Sequence, residues 1–391
     1  MKHAIPDRPV RRKLLTGLSY AAMMSLAIGL NLLPVFLTSI KYSFGGSEGL
    51  SGEELGRLGA FAFAGLVVGI LLTGPLADRF GAKPFAILGN VLTVVGLAGM
   101  SLSQNYIMLL AMIGLIGLGA GVLDMILSPV VAALNPESRS SAMNWLHSFY
   151  AVGAVVTILI ATLALAAGLG WRTVCWLVMP LPLFLIVSFI PLRFPPMITD
   201  QGRIQFRVLV KKSGFLIALA AIFLGGATEL GLAQWLPAYA ELSLGFSKEV
   251  AGTGLLLFSI AMALGRMVIG AAGNRICPYQ AMGWGCVLSV ILFLGGAFLP
   301  SGGWALACCV LAGFTGSCLW PTMLAVTADR YPAGGATMFG ALAALGNAGG
   351  IFMPWVVGAV ADWHSLSLGI ATSAIAPLLM LFLVLELARR R

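Results

Sequence analysis

Twelve membrane-spanning helices arranged as two six-helix halves, an all-α membrane fold, follow from three observations. These are the solvent preference of the side chains, the number and length of the apolar runs, and a repeat linking the two halves. Of 391 residues, 59% are hydrophobic and only 9% are charged, 23 basic and 14 acidic, whereas a soluble domain carries about 25% charged residues. The mean hydropathy is +0.98, so lipid rather than a single buried core solvates most of these side chains. Barrel strands are excluded, because the runs are too long and uniform and a lipid-embedded backbone must satisfy its own hydrogen bonds.

Runs of about 20 apolar residues, the length that crosses a ~30 Å hydrocarbon layer, occur at 15–40, 55–75, 84–104, 107–133, 140–167 and 172–193 in the first half. A polar stretch at 194–212 follows and reads as a linker. The second half repeats the count at 213–240, 250–272, 280–299, 304–328, 335–360 and 366–387. The predicted organisation is therefore a bundle over 1–193, a cytoplasmic linker over 194–212 and a second bundle over 213–391. The first run follows the basic stretch MKHAIPDRPVRRKLL, but at about 25 residues it exceeds the apolar region of a signal peptide and reads as a span.

Short cytoplasmic loops are enriched in Lys and Arg. With both termini inside, 19 basic residues fall on the cytoplasmic side and only Lys41, Arg57, Arg172 and Lys248 fall outside. The pI near 9.5 thus reflects topology, and no nucleic-acid partner is expected. The six cysteines lie almost entirely within apolar runs, without metal or redox spacing, and read as small core residues. No cofactor or metal site is expected, and the working unit is expected to be a monomer in contact with lipid. The pattern Gly45-Gly46-Ser47-Glu48-Gly49 matches a nucleophile elbow only formally, since strand, turn and helix are missing around it. Gly117-Leu118-Gly119-Ala120-Gly121 lies inside a span and reads as helix packing rather than phosphate binding. With no phosphate loop, any transport draws on a gradient.

The repeat is visible in Gly69 and Gly74-Pro75-Leu76-Ala77-Asp78-Arg79, which align with Gly265 and Gly270-Ala271-Ala272-Gly273-Asn274-Arg275 at an offset of 196. Asn31, Leu33 and Pro34 align with Gln234, Leu236 and Pro237 at an offset of 203. Parallel halves of this kind suit alternating access about a central site.

The segment Gly74 to Lys83 resembles the signature loop between spans 2 and 3 of the major facilitator superfamily, and the weaker copy at Gly270 to Arg275 stands where that family repeats it. The resemblance covers the whole chain and implies a transporter. It implies that Gly74, Asp78, Arg79, Lys83, Arg266 and Arg275 take part in a conformational latch, weaker in the second half where Asn274 replaces the acid. The plainer reading of Asp78, Arg79 and Lys83 is a set of topogenic charges in a tight turn. Gly119 to Asp124, Asn144 to Phe149 and the stretch Glu229 to Tyr239 resemble the fucose-permease type of sugar/proton symporters. There an acid in span 4 corresponds to Asp124, whereas the acid of span 1 is replaced here by Asn31.

Two acids lie well inside spans, Asp124 and Glu229. An ionised carboxylate there needs a cation, a water-filled cavity or a proton, so both are candidates for proton coupling. The alternative is a protonated or hydrogen-bonded acid that holds helices together. His147, about 12 Å into its span at 1.5 Å per residue, either relays protons near Asp124 or packs. Asn31, Asn144, Gln234, Trp235, Tyr239, Trp320 and Asn347 combine amides with flat rings, the pairing that suits a polyhydroxylated solute. Trp145, Trp171, Trp304 and Trp363, near helix ends, read as interfacial anchors. Arg266 is a costly charge that reaches Asp78-like groups, a substrate anion or lipid headgroups.

The expected activity is proton-coupled movement of a small polar solute, a sugar or related metabolite, in the inner (cytoplasmic) membrane. The alternatives are a proton-coupled exporter of amphipathic compounds and a non-transporting receptor or scaffold. A fluorescent protein fused after Arg391 is expected to fluoresce in a bacterial host, and alkaline phosphatase fused there to stay inactive. An active phosphatase would reverse the topology.

Overall fold

The computed structural model describes residues 10–44, 49–50, 52–196 and 204–390. The basic start of the chain, most of the Ser47 elbow pattern, residues 197–203 of the linker and Arg391 lie outside the described residues. Within them the regular structure is all helical, and twelve segments are long and apolar enough to cross a membrane.

Five spans of the first half are unbroken helices: α1 (Arg12–Ser43), α2 (Gly52–Phe80), α3 (Ala82–Leu102), α4 (Tyr106–Leu134) and α5 (Arg139–Ala166). The sixth is split into α6 (Trp171–Val178) and α7 (Pro180–Phe189), after which α8 (Phe206–Leu209) lies in the connection. The seventh span is α9 (Ser213–Ala233) with α10 (Leu236–Leu242). The eighth and ninth are α11 (Lys248–Ala272) and α12 (Pro278–Phe298). The tenth is α13 (Gly302–Gly316) with α14 (Leu319–Arg330), the eleventh α15 (Gly335–Trp363), and the twelfth α16 (Leu366–Thr372) with α17 (Ile375–Arg389).

Four spans that read as continuous apolar runs are therefore interrupted. Each interruption begins three or four residues before a proline: Pro182, Pro237, Pro321 and Pro377. Proline has no N–H to donate to the carbonyl four residues earlier, and its ring crowds that carbonyl. Pro34, Pro75, Pro129 and Pro354, in contrast, sit inside continuous helices. Turns use residues suited to their backbone: Gly81 between α2 and α3 has φ of 81°, a region that favours glycine. Ser247 and Ser365 cap α11 and α16 by accepting from Val250 and Leu368 N–H.

By contact the chain forms two units. One comprises Met1–Leu134, Val156–Arg203 and Gly335–Thr337, and the other Asn135–Val155, Ile204–Gly334 and Met338–Arg391. The division thus runs through α5 and the start of α15 as well as the linker. In the first unit, Phe36, Leu58, Leu97, Met100, Ile113 and Trp171 belong to one buried cluster. Trp171 is only 4% exposed, and its indole N–H donates to Ser43 Oγ at 2.9 Å. It is a core residue, which corrects its reading as an anchor; Trp304 and Trp363, at 71% and 79%, are exposed. In the second unit, Tyr239, Phe258, Phe293, Met353 and Ile370 form the corresponding cluster.

The repeat survives as packing. A Cβ on Gly117 would strike the Ala62 carbonyl and one on Gly69 the Leu118 carbonyl, so α2 and α4 meet backbone to backbone. In α11 and α13 the same is true of Gly313 against the Phe258 carbonyl and Gly265 against the Phe314 carbonyl. All four positions of the second set follow the first by 196 residues.

Gly117→Ala is expected to lower stability by about 1–3 kcal/mol through overpacking, read as a fall in thermal midpoint in detergent. Gly17→Ala, which meets nothing within 4 Å, is expected to leave it unchanged or slightly raised.

Candidate functional site

The site is built on the break in the tenth span. Pro321 cannot donate to the Ser317 carbonyl, so that acceptor is left without its helical partner. Gly265 brings α11 close enough for the next residue, Arg266, to supply one. Arg266 Nε donates to Ser317 O at 3.0 Å, and Nη1 donates to the carbonyl of His147 on α5 at 3.0 Å. Nη2 donates to Glu229 Oε2 on α9 at 2.6 Å. The side chains of Arg266 and Glu229 are 3% and 13% exposed. A guanidinium placed at such depth requires a counter-ion and filled hydrogen bonds, and these three acceptors meet both needs.

Asn144, one turn before His147, donates from Nδ2 to Ser140 O and to Thr322 Oγ1, the latter at 3.0 Å. Asn144 Oδ1 and His147 Nε2 are buried and have no hydrogen-bond partner among the described residues. Four residues marked in the sequence thus converge in the second unit: Glu229, Arg266, His147 and Asn144. His147 neighbours Arg266, to which its carbonyl is bonded. Arg266, grouped by resemblance with the latch, pairs with Glu229. Asp124 stands half-buried on α4, in the first unit.

The remaining polar and aromatic candidates are placed differently. Asn31 and Asn347 donate from Nδ2 to the carbonyls of Ala27 and Ala343, at 2.8 and 2.9 Å. Gln234 is exposed at the α9–α10 break. Trp235 donates to Pro354 O at 2.8 Å and Tyr239 to Gly296 O at 2.6 Å, so both polar tips serve contacts inside their own bundle. The Trp320 ring lies against Gly226 and Gly346, where a Cβ would collide with it. Ser317 and Thr322 went unmarked in the sequence. A proline four residues after Ser317 was the available signal, because it frees that carbonyl.

At one end of the first unit, the Asp78 carboxylate is buried and accepts from Ala336 N–H at 2.7 Å and Thr337 N–H at 3.0 Å, and also from the Thr337 hydroxyl. It fills the capping position at the N-terminus of α15 that Gly334, lacking a side chain, leaves empty. Gly74 faces the same turn, with Ala336 O and Thr337 Cα 3.4 Å from where its Cβ would be. Asn274, the counterpart of Asp78, donates to Glu137 O at 2.9 Å, just before α5. The contact recurs at the equivalent helix but with reversed polarity and without charge. Lys83 Nζ donates to Ile190 O at 2.6 Å. Arg79 lies exposed over the Phe80 ring, and Arg275 is exposed. Arg139 and Asp329 form an ion pair at 2.5 Å.

The Major Facilitator Superfamily model matches residues 18–336 and 241–391. The chain belongs to the Major Facilitator Superfamily. It is accordingly a multi-pass membrane transporter rather than an enzyme. Among relatives in this superfamily, the cis,cis-muconate transport protein of Acinetobacter baylyi is 25% identical over 372 residues, covering 90% of this chain and 88% of that protein. A putative niacin/nicotinamide transporter, NiaP of Bacillus subtilis, is 25% identical, covering 92% and 91%. The fold is shared with the E. coli fucose:proton symporter FucP at a TM-score of 0.82 and 17% identity, over 96% of this chain and 99% of that one.

Arg266→Met is expected to cost about 3–5 kcal/mol, since it strands a buried carboxylate and two carbonyls. Adding Glu229→Leu is expected to restore part of that loss. Thermal midpoints of the two single variants and the double variant measure the coupling, and strict additivity would refute it.

Proposed function

We propose that this superfamily member is a secondary active transporter that couples proton movement to a small polar metabolite, a sugar or a related compound. It works as a monomer by alternating access in the cytoplasmic membrane, with both termini inside. The single observation that carries this reading is the ion pair of Arg266 and Glu229, held within spans 7 and 8 and 3% and 13% exposed. An acid maintained at such cost is justified by a function that uses its charge. When Glu229 takes up a proton its hold on Arg266 weakens, and the guanidinium loses its counter-ion. Asp124 is a second proton-carrying candidate, and His147 adjoins the pair.

The Asp78 cap on α15 supports a conformational role for the signature loop, with Gly74, Arg79 and Lys83 beside it and Arg275 at the equivalent turn. A carboxylate capping two backbone N–H groups is worth about 1–2 kcal/mol. That is enough to bias one conformation over another by roughly tenfold. The half-buried amides Asn31 and Asn347, with exposed Gln234, remain suited to hydroxyl groups on a solute.

Purified protein in liposomes with an inward proton gradient is expected to accumulate at least one labelled solute from a panel of sugars and related metabolites. Dissipating the gradient with a protonophore is expected to abolish accumulation. Glu229→Gln is expected to retain gradient-independent exchange while losing accumulation. Dye extrusion without uptake of any panel member would favour an exporter instead.

A further inference from the structure

We propose that the transported solute carries a carboxylate, and that this group takes the place of Glu229 on Arg266 when Glu229 is protonated. The inference rests on the transporter reading and names the substrate class for the same site. It begins with a count of the guanidinium's acceptors. Three contacts hold Arg266, and two of them are backbone carbonyls, Ser317 O and His147 O. These contacts fix the plane of the guanidinium whatever happens to the side chains around it. Carbonyls contribute dipoles but no net charge. Of the three acceptors only Glu229 is an anion, bound through the single oxygen Oε2.

Protonating Glu229 therefore leaves a buried, already oriented cation without its counter-ion. Losing one member of such a pair disfavours the state by on the order of a hundredfold or more. The penalty vanishes if another carboxylate arrives with the proton. Each event then favours the other by the same factor, as linkage requires. The step balances as follows. A proton adds to the Glu229 carboxylate, the Nη2 hydrogen bond to Oε2 is released, and Nη2 donates to a carboxylate oxygen of the solute. One proton and one anionic group enter together, so the charge at the pair is unchanged.

The geometry gives the exchange a direction. Glu229 is the more open partner, 13% exposed against 3% for Arg266, so an incoming anion meets the replaceable member first. The break beginning at Gln234 lies five residues further along, where the chain is exposed. The residue whose carbonyl steadies Arg266 also carries a buried imidazole nitrogen, His147 Nε2, with no partner among the described residues. A carboxylate is moreover the one ligand class for which the fit is already demonstrated within the molecule, since Glu229 occupies the position now.

Formate, the smallest carboxylate, tests this without knowledge of the natural solute, and formamide is its neutral counterpart. Thermal midpoints of the full chain in detergent are compared in sodium formate, in sodium chloride of equal ionic strength and in formamide. Formate is expected to raise the midpoint of Glu229→Gln by about 2 °C at ten times its dissociation constant, equally at pH 7.5 and 5.5. For the wild type, whose own Glu229 carboxylate competes for the same guanidinium, the formate shift is expected to be smaller than that of Glu229→Gln at either pH. Formamide is expected to shift neither. Equal formate shifts in both proteins at both pH values, or no shift in either, would overturn the inference. If Glu229→Gln does not fold, Glu229→Ala is compared with the wild type in the same way. A formate shift without proton-driven flux in liposomes would leave the carboxylate site standing and remove the transporter reading. Accumulation of a neutral sugar without a formate shift would do the reverse.

Discussion

Inside hydrocarbon no water completes an unfinished hydrogen bond, so each backbone carbonyl freed by a proline must find a donor within the protein. The Ser317 carbonyl is such a group, and Arg266 answers it. Once there, the guanidinium brings a charge that the surroundings do not tolerate alone, and Glu229 supplies the balance. The chain of dependence runs from the missing N–H of Pro321 to a broken helix, from the broken helix to a buried cation, and from the cation to a buried acid. Packing serves the same chain, because Gly265 lets α11 approach α13 closely enough for Arg266 to reach Ser317.

The two halves show how such a site arises from a repeat. Backbone contacts at Gly69 and Gly117 recur at Gly265 and Gly313 with an offset of 196. At the same offset, Ile70 stands for Arg266, Gly121 for Ser317 and Met125 for Pro321. The first half therefore has neither the cation nor the proline, and α4 runs unbroken where its counterpart divides. The polar chemistry is grafted on a common packing scheme by three substitutions. The signature loop diverges in the opposite sense. Asp78 accepts from two backbone N–H groups of α15 while Asn274 only donates to a carbonyl before α5. Charge thus caps a helix in the first half and forms a buried ion pair in the second, while Asp124 stands within α4 of the first.

Much of this was legible in the residues before any coordinates. The span count, the helix-packing glycines of Gly117 to Gly121 and the special standing of Glu229 and Asp124 all rest on local rules. Apolar length sets a span, a missing side chain sets a close approach, and an acid without nearby water demands an explanation. What the residues did not disclose was which prolines interrupt a helix. Pro34 and Pro237 occupy matching positions in the repeat, yet α1 continues through the first while the seventh span breaks ahead of the second. Trp171 likewise looked like an anchor by its place near a helix end, whereas packing against Phe36 and Phe44 buries it.

The sequence by itself determined the solvent, the number of spans, the internal repeat and the two acids that had to be accounted for, because these follow from side-chain transfer energies and from spacing along one helix. Only the tertiary structure decided the partners. Arg266 is 37 residues from Glu229 and 119 from His147 along the chain, and no local pattern specifies which helices bring such residues to within a hydrogen bond. Ion pairing and carbonyl capping act over about 3 Å, so they become defined only when packing has set the distances between helices.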